Sequence, residues 1–164
     1  MLTTSGSAID EVAFRRALSC FASGVVVVTG LADGRPVGLT CQSFVSVSLD
    51  PPLVAVAVGH SSTSWKALAP TRAFAVNILN DRQQSLCMAF ARSGSDKFHG
   101  RSWQPGALGL PLLDGVLAHI ECTIETVTPA GDHDLVVGRV HSLADHDLEC
   151  GPLLFYRSRF LEPR

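Results

Sequence analysis

Apolar positions near the start of the chain recur at helical spacing. Phe14, Leu18 and Phe21 fall at i, i+4 and i+7, and Ser7 with Asp10 resembles a capping box, so the pattern predicts a helix over residues 9–22. The period then shortens. Val25-Val26-Val27-Val28-Thr29 is a continuous β-branched run, and Ala32-Asp33-Gly34-Arg35 supplies a turn. Residues 36–49 read as one long strand that bends or bulges near Gly38. It ends at Asp50-Pro51-Pro52, where neither proline can donate to a ladder. Residues 53–58 are wholly apolar, which predicts a strand buried on both faces.

A polar loop, Gly59-His60-Ser61-Ser62-Thr63, leads into a short helix over 64–68, stopped by Pro70. A strand over 74–79 follows, then a helix over 81–91 with Asp81 as its cap and Leu86 and Phe90 on one face. Residues 93–112 are rich in glycine and proline and read as irregular. Beyond them Ile120, Cys122 and Ile124 alternate with Glu121, Thr123 and Glu125, the mark of a half-buried strand. A turn at Pro129-Ala130-Gly131-Asp132, a returning strand over 135–143 and a last strand over 153–160 complete the pattern. Many short strands, two main helices and no regular β-α-β alternation predict a mainly β fold: an antiparallel barrel with peripheral helices.

Length and composition bound this picture. The 164 residues suit a single domain spanning 1–164, and 46% hydrophobic against 17% charged residues is enough to fill a core and leave apolar surface for a subunit interface. With 13 basic and 15 acidic residues scattered along the chain, there is no basic stripe for nucleic acid. The apolar runs are too short to span a bilayer, and Met1 to Ser7 lack a signal-peptide pattern, which points to the cytoplasm. The cysteines at 20, 41, 87, 122 and 150 are dispersed, with no C-x-x-C, and each reads as a small buried hydrophobe in a reducing compartment.

Several catalytic signatures are missing. There is no G-x-G-x-x-G, no G-x-x-x-x-G-K-[ST], no H-E-x-x-H and no G-x-S-x-G, so any difficult chemistry falls to a cofactor. Four segments are candidates for holding one. Gly38-Leu39-Thr40-Cys41-Gln42-Ser43-Phe44, followed by Ser46 and Ser48, is strand-like yet loaded with small and hydroxyl side chains. Such a strand lets a flat ring approach the backbone, or is simply a solvent-facing stripe. His60-Ser61-Ser62-Thr63-Ser64-Trp65-Lys66 offers hydroxyls and free N–H groups at a helix start, suited to phosphate or to plain capping. In Asp96-Lys97-Phe98-His99-Gly100, Lys97 is a phosphate partner or a solvated loop charge. In Gly131-Asp132-His133 the carboxylate can orient the imidazole against a ring, or the triplet is an ordinary hairpin turn. His141, Asp145, His146 and Asp147 fit no standard ligand spacing, so no metal is expected.

Taken in order, these segments resemble one family. Phe21-Ala22-Ser23-Gly24-Val25, Gly38 to Phe44, Ser46-Val47-Ser48-Leu49-Asp50-Pro51-Pro52-Leu53, Phe74-Ala75-Val76-Asn77-Ile78-Leu79, Asp96 to Gly100, Gly131-Asp132-His133 and Pro152-Leu153-Leu154-Phe155-Tyr156 are similar to the flavin reductase-like FMN-binding split-barrel proteins. These are the small reductase components of two-component flavin monooxygenases. The resemblance implies a homodimeric split β-barrel that passes hydride from NADH or NADPH to FMN or FAD and supplies a separate monooxygenase. It also implies that Gln42, Ser43, Phe44, Val45, Ser46, Ser48 and Leu49 line the flavin ring and ribityl chain. Thr63, Ser64, Trp65, Lys97 and Phe98 would hold the phosphate end, and Asp132, His133, Tyr156 and Arg157 would face the nicotinamide, with His133 positioning it. A flavin-binding electron carrier or sensor without turnover, or a heme- or pyridoxal-phosphate-related barrel, remains the competing reading.

Overall fold

The computed structural model describes residues 9–94, 96–146 and 149–161. Helix α1 (Glu11–Leu18) precedes β1 (Ser23–Gly24), β2 (Val26–Ala32), β3 (Arg35–Cys41), β4 (Val45–Leu49) and β5 (Pro52–Gly59). Then come α2 (Thr63–Leu68), β6 (Ala73–Ile78), α3 (Gln84–Ala91), a small hairpin of β7 (Trp103–Pro105) and β8 (Pro111–Leu113), and the long pair β9 (Ala118–Ala130) and β10 (His133–Asp145). β11 (Leu154–Tyr156) and β12 (Arg159–Phe160) form a terminal hairpin that pairs with β1.

Seven strands make one antiparallel sheet in the order β3-β2-β6-β9-β10-β5-β4. β2 separates two cores. Val26 and Val28 pack inside the curled sheet with Val54, Val56, Trp65, Phe74 and Val136. Val25 and Val27 pack on the other side with Leu79, Phe90, Phe98 and Leu113. The unbroken valine run therefore faces apolar partners on both sides, which is why it lacks alternation.

Among the described residues the two end strands of the sheet, β3 and β4, are not joined by a ladder. Chain leaving β3 steps away from β2 at Gln42 and returns toward β5, where the Ser43 hydroxyl donates to Ala57 O at 2.9 Å and accepts from Ala57 N at 2.8 Å. β4 begins only at Val45, so β5 outruns it, and one side chain fills the missing ladder position. The result is a mainly β, antiparallel split barrel with three peripheral helices among the described residues.

Tight turns set the registers that matter. Between β2 and β3, Asp33 (φ 50°) and Gly34 (φ 74°) both lie in the left-handed region that a two-residue hairpin favours. Between β9 and β10, Gly131 (φ 66°) turns the chain so that His133 pairs opposite Ala130 on one side and Gly59 on the other.

Several expectations need correction. α1 is shorter than residues 9–22, and its cap is Asp10, whose carboxylate accepts from Ala13 N at 3.0 Å; Ser7 lies outside the described residues. The strand expected over 36–49 is two strands, because Gln42-Ser43-Phe44 leave the ladder. Gly38 makes no bulge. It pairs with Thr29, and a Cβ there would strike the Phe90 ring and the Val28 carbonyl, so the glycine admits α3 against β3. The irregularity sits in β4, between Ser46 and Ser48.

α3 starts at Gln84 rather than 81, since Asp81 accepts from Gly151 N instead of capping the helix. Glu121, expected on the solvent side of β9, is only 2% exposed and accepts from Ala107 N and Leu108 N, both at 2.8 Å. The last strand is a hairpin whose tip, Arg157 (φ 48°) and Ser158 (φ 62°), is strained for non-glycine residues. Cys41, Cys87 and Cys122 are buried, and burial pushes the Cys41 and Cys122 thiols up to about 12, but Cys20 is exposed and Cys150 half-buried. Among the described residues no helix is long and apolar enough to cross a membrane.

Candidate active site

The gap in the barrel forms a cavity of about 490 Å³ between the end of β3, Gln42, Ser43 and the end of β5. β3 is an edge strand, so its outward N–H and C=O groups face the cavity without a ladder partner. Thr40 Oγ1 donates to Cys87 O at 2.7 Å, tying α3 to this wall. The rim carries hydroxyls from Ser61, Ser62, Thr63 and Ser93 together with the Arg92 guanidinium.

A second cavity of about 620 Å³ opens beyond it, walled by Phe14, Leu18 and Phe21 of the α1 segment and by Phe155, with Arg15 and Arg157 at its border. Gln42 and His133 line both cavities and are their common wall. The hairpin turn delivers His133 to this place, and its Nδ1 lies 2.7 Å from Asp132 Oδ1. That contact holds the Asp132 carboxyl below its ordinary value. Arg15 is paired with Glu11 at 2.8 Å, whereas the Arg157 guanidinium lies over the Tyr156 ring, 5.4 Å from its centre.

Of the residues expected at a flavin site, Gln42, Ser43, Thr63 and Lys97 come together around the first cavity, joined there by His133, which was expected at the nicotinamide. Asp132, His133 and Arg157 meet at the second, with Tyr156 half-buried beneath Arg157. Ser64 and Phe98 line an adjoining cavity of about 190 Å³ that shares Thr63 and Lys97 with the first, and the remaining residues do not line these cavities in their own chain. Phe44 packs on the inner core, because the chain turns back toward β5 there. Val45, Ser46, Ser48 and Leu49 lie on β4, along the same edge of β5 as the gap but beside its Pro52–Ala55 half, away from the Ala57–Gly59 end that lines the cavity.

Ser64 is buried, and its hydroxyl accepts from Lys97 Nζ at 3.1 Å. Lys97 Nζ also donates to Gly38 O at 3.0 Å and Phe90 O at 2.9 Å, so its three protons are directed at protein acceptors. Burial lowers its pKa. Phe98 is a core residue, edge-on to Phe90 and Trp103. Trp65 is 3% exposed, and its indole N–H donates to Asp134 at 2.9 Å.

Sequence reading missed Arg92, Ser93, the aromatic wall from α1 and Asp134. The α1 wall had a signal, an amphipathic helix with no partner for its apolar face; Arg92 had none. Among the described residues no three His, Cys, Asp or Glu side chains converge as a metal site. His141 instead contacts Thr123, and His146 contacts His119.

The flavin reductase-like domain model matches residues 18–163. The chain belongs to the flavin reductase-like family. Its sequence is 45% identical over 161 residues to the reductase subunit HsaB of a flavin-dependent monooxygenase from Rhodococcus jostii, covering 97% of this chain and 82% of that protein. An NADH:FMN oxidoreductase from Rhodococcus qingshengii is 36% identical, covering 92% of this chain and 80% of that protein. The crystal structure of nitrilotriacetate monooxygenase component B from Mycobacterium thermoresistibile superposes with a TM-score of 0.90 at 45% identity, covering 95% of this chain and 88% of that one.

Proposed function

We propose that this chain is an NADH-dependent flavin reductase that supplies reduced flavin to a separate monooxygenase, acting as a single domain in a homodimer. The observation that carries this reading is the pair of cavities sharing Gln42 and His133. Direct hydride transfer requires two flat rings to meet in near-attack contact and requires no protein nucleophile. A shared wall between two ligand-sized cavities serves that requirement.

The first cavity fits a flavin mononucleotide moiety. Its unpaired β3 edge offers backbone donors and acceptors for a pyrimidine edge, and its rim of hydroxyls with Arg92 suits a phosphate. The second suits a nicotinamide dinucleotide, with aromatic walls for rings and Arg157 for a phosphate. When bound, flavin supplies the hydride acceptor and the reduced nicotinamide the donor. The chain's part is to hold and orient. Backbone N–H groups at the β3 edge would face the pyrimidine edge of a bound flavin and favour negative charge there, and His133, braced by Asp132, would orient the nicotinamide on its side of the wall.

The homodimer reading rests on uncovered apolar surface. Phe14 (51%), Leu18 (57%) and Phe21 (82%) lie bare on the α1 segment, and Leu49 (92%) on the exposed edge strand β4. Five free thiols and dependence on NADH fit the cytoplasm.

Steady-state oxidation of NADH and NADPH with added FMN or FAD is the deciding assay. Flavin-dependent NADH consumption is expected; flavin binding without NADH consumption would reduce the protein to a carrier. Light scattering of the pure protein should give twice the chain mass, and a monomer would remove the dimer.

A further inference from the structure

One carboxylate on β10 contacts both flanks of the Ser61–Thr63 stretch that lines the first cavity. Asp134 follows His133, and strand alternation turns the two side chains to opposite faces. While His133 lines the cleft, Asp134 Oδ1 lies 2.9 Å from His60 Nε2, and Oδ2 accepts from Trp65 Nε1 at 2.9 Å. These two contacts, the indole first, hold its carboxyl below its ordinary value and keep it ionised.

The contacts bracket the rim. Ser61, Ser62 and Thr63, which line the cavity, run between His60 and Trp65. Both ends of this loop are therefore tied to one side chain. Further ties hold the segment: His60 N donates to Asp132 O at 3.0 Å, Ser62 N donates to Gly59 O at 3.0 Å, Ser62 Oγ accepts from Trp65 N at 3.2 Å, and Ser64 Oγ accepts from Lys97 Nζ at 3.1 Å. Among the described residues the Ser61 and Thr63 hydroxyls make no hydrogen bond within the chain, which leaves them for a ligand. A carboxylate suits the bracket because it offers two acceptor oxygens to donors on two elements at once.

We propose that Asp134 is a positioning residue for flavin recognition, acting through His60 and Trp65 to place the Ser61 and Thr63 hydroxyls against the phosphate-bearing side chain of the flavin. This rests on the reductase reading. Because it never touches the rings, its loss should move flavin affinity and leave the nicotinamide side and the hydride step nearly unchanged.

The test uses the full chain with D134A, D134N, H60A and the double variant D134A/H60A. It measures FMN Kd by fluorescence quenching, KM for FMN and NADH, kcat at saturating flavin, and Tm. D134A is expected to raise FMN Kd about tenfold, with KM for NADH and kcat within about twofold, because two charge-assisted hydrogen bonds are lost outside the reacting centre. D134N, which keeps one acceptor for the indole, should recover most of the affinity. H60A should weaken FMN binding as well, and the double variant should be no worse than D134A, since both act on one bracket.

Unchanged FMN affinity in D134A overturns the proposal, as does an equal loss toward FMN and NADH or an additive double variant. If D134A does not fold, H60A decides alone: His60 is 46% exposed, and wild-type FMN affinity there overturns the bracket. A wild-type protein that neither binds flavin nor oxidises NADH overturns the reductase reading itself, a result distinct from an unaffected variant beside a working parent.

Discussion

The Ser43 hydroxyl and the Ala57 peptide exchange two hydrogen bonds across the gap between β3 and β5, and so a side chain substitutes for backbone pairing at the mouth of the cleft. The S43A variant keeps the chain path but leaves the Ala57 N–H and C=O to water. A loss of about 1 kcal/mol in urea unfolding is expected, because the bridge is exposed and its partners can resolvate. FMN binding should weaken further than that loss implies, since the gap sets the cleft width; equal affinity for wild type and S43A in a quenching titration would show that the bridge does not shape the site.

Lys97 links β3, α2 and α3 through Gly38 O, Ser64 Oγ and Phe90 O. The K97M variant should cost about 2 kcal/mol of stability by loss of charged hydrogen bonds. Since the ammonium is occupied by the protein, FMN Kd in K97M should show the same salt dependence as wild type; a flatter salt slope would mean that Lys97 does meet the phosphate.

The same residue makes a pH prediction. Burial lowers the Lys97 pKa below its unfolded value of 10.5, so the unfolded chain binds this proton more tightly. The resulting penalty is full below the folded pKa and shrinks as pH rises from there toward 10.5. Wild type should therefore lose less stability than K97M between pH 8 and pH 10 by roughly the amount of that relief. Parallel stability curves for the two proteins would remove this contribution.

His133 stands on the wall shared by the two cavities, 2.7 Å from Asp132. The H133A variant is expected to raise KM for NADH about tenfold with kcat reduced less, the pattern of lost orientation rather than lost proton transfer. D132N should move KM in the same direction by a smaller factor. A fall in kcat with KM for NADH unchanged would assign His133 to the chemical step instead.

Glu121 is a buried carboxylate whose two oxygens hold the loop between β7 and β8 through Ala107 N and Leu108 N. The E121A variant strands two backbone donors and should lose about 3 kcal/mol, whereas E121Q, which retains an acceptor, should lose about half as much. G106A should also destabilise, because a Cβ there would collide with that carboxyl group. Both effects are read by denaturant titration, and a neutral E121A would mean that the loop relaxes into water.

Elements legible in the sequence were those whose burial follows from local pattern. The β2 valine run, the apolar β5 and the Asp33-Gly34 turn each carry their own instruction in side-chain shape or backbone freedom. Glu121 was misread because alternation along β9 reports which face a residue takes, and that face is covered by a loop from elsewhere in the chain. The β11–β12 hairpin was missed because Arg157 and Ser158 adopt left-handed angles that neither residue type favours. Lys97 and Trp65 were expected at the phosphate end from the family resemblance, and in the fold their polar atoms meet Gly38, Ser64 and Phe90 in one case and Asp134 in the other.

The amino-acid order alone was enough for the β-rich class, the family and the segments that border the cleft, because hydrophobic period, turn chemistry and motif order are local properties of the chain. Which polar atoms are left over for a ligand was decided by tertiary structure. Hydrogen bonds such as Ser43 to Ala57 and Asp134 to His60 join residues far apart in the chain, and only the folded geometry determines which donors and acceptors they consume.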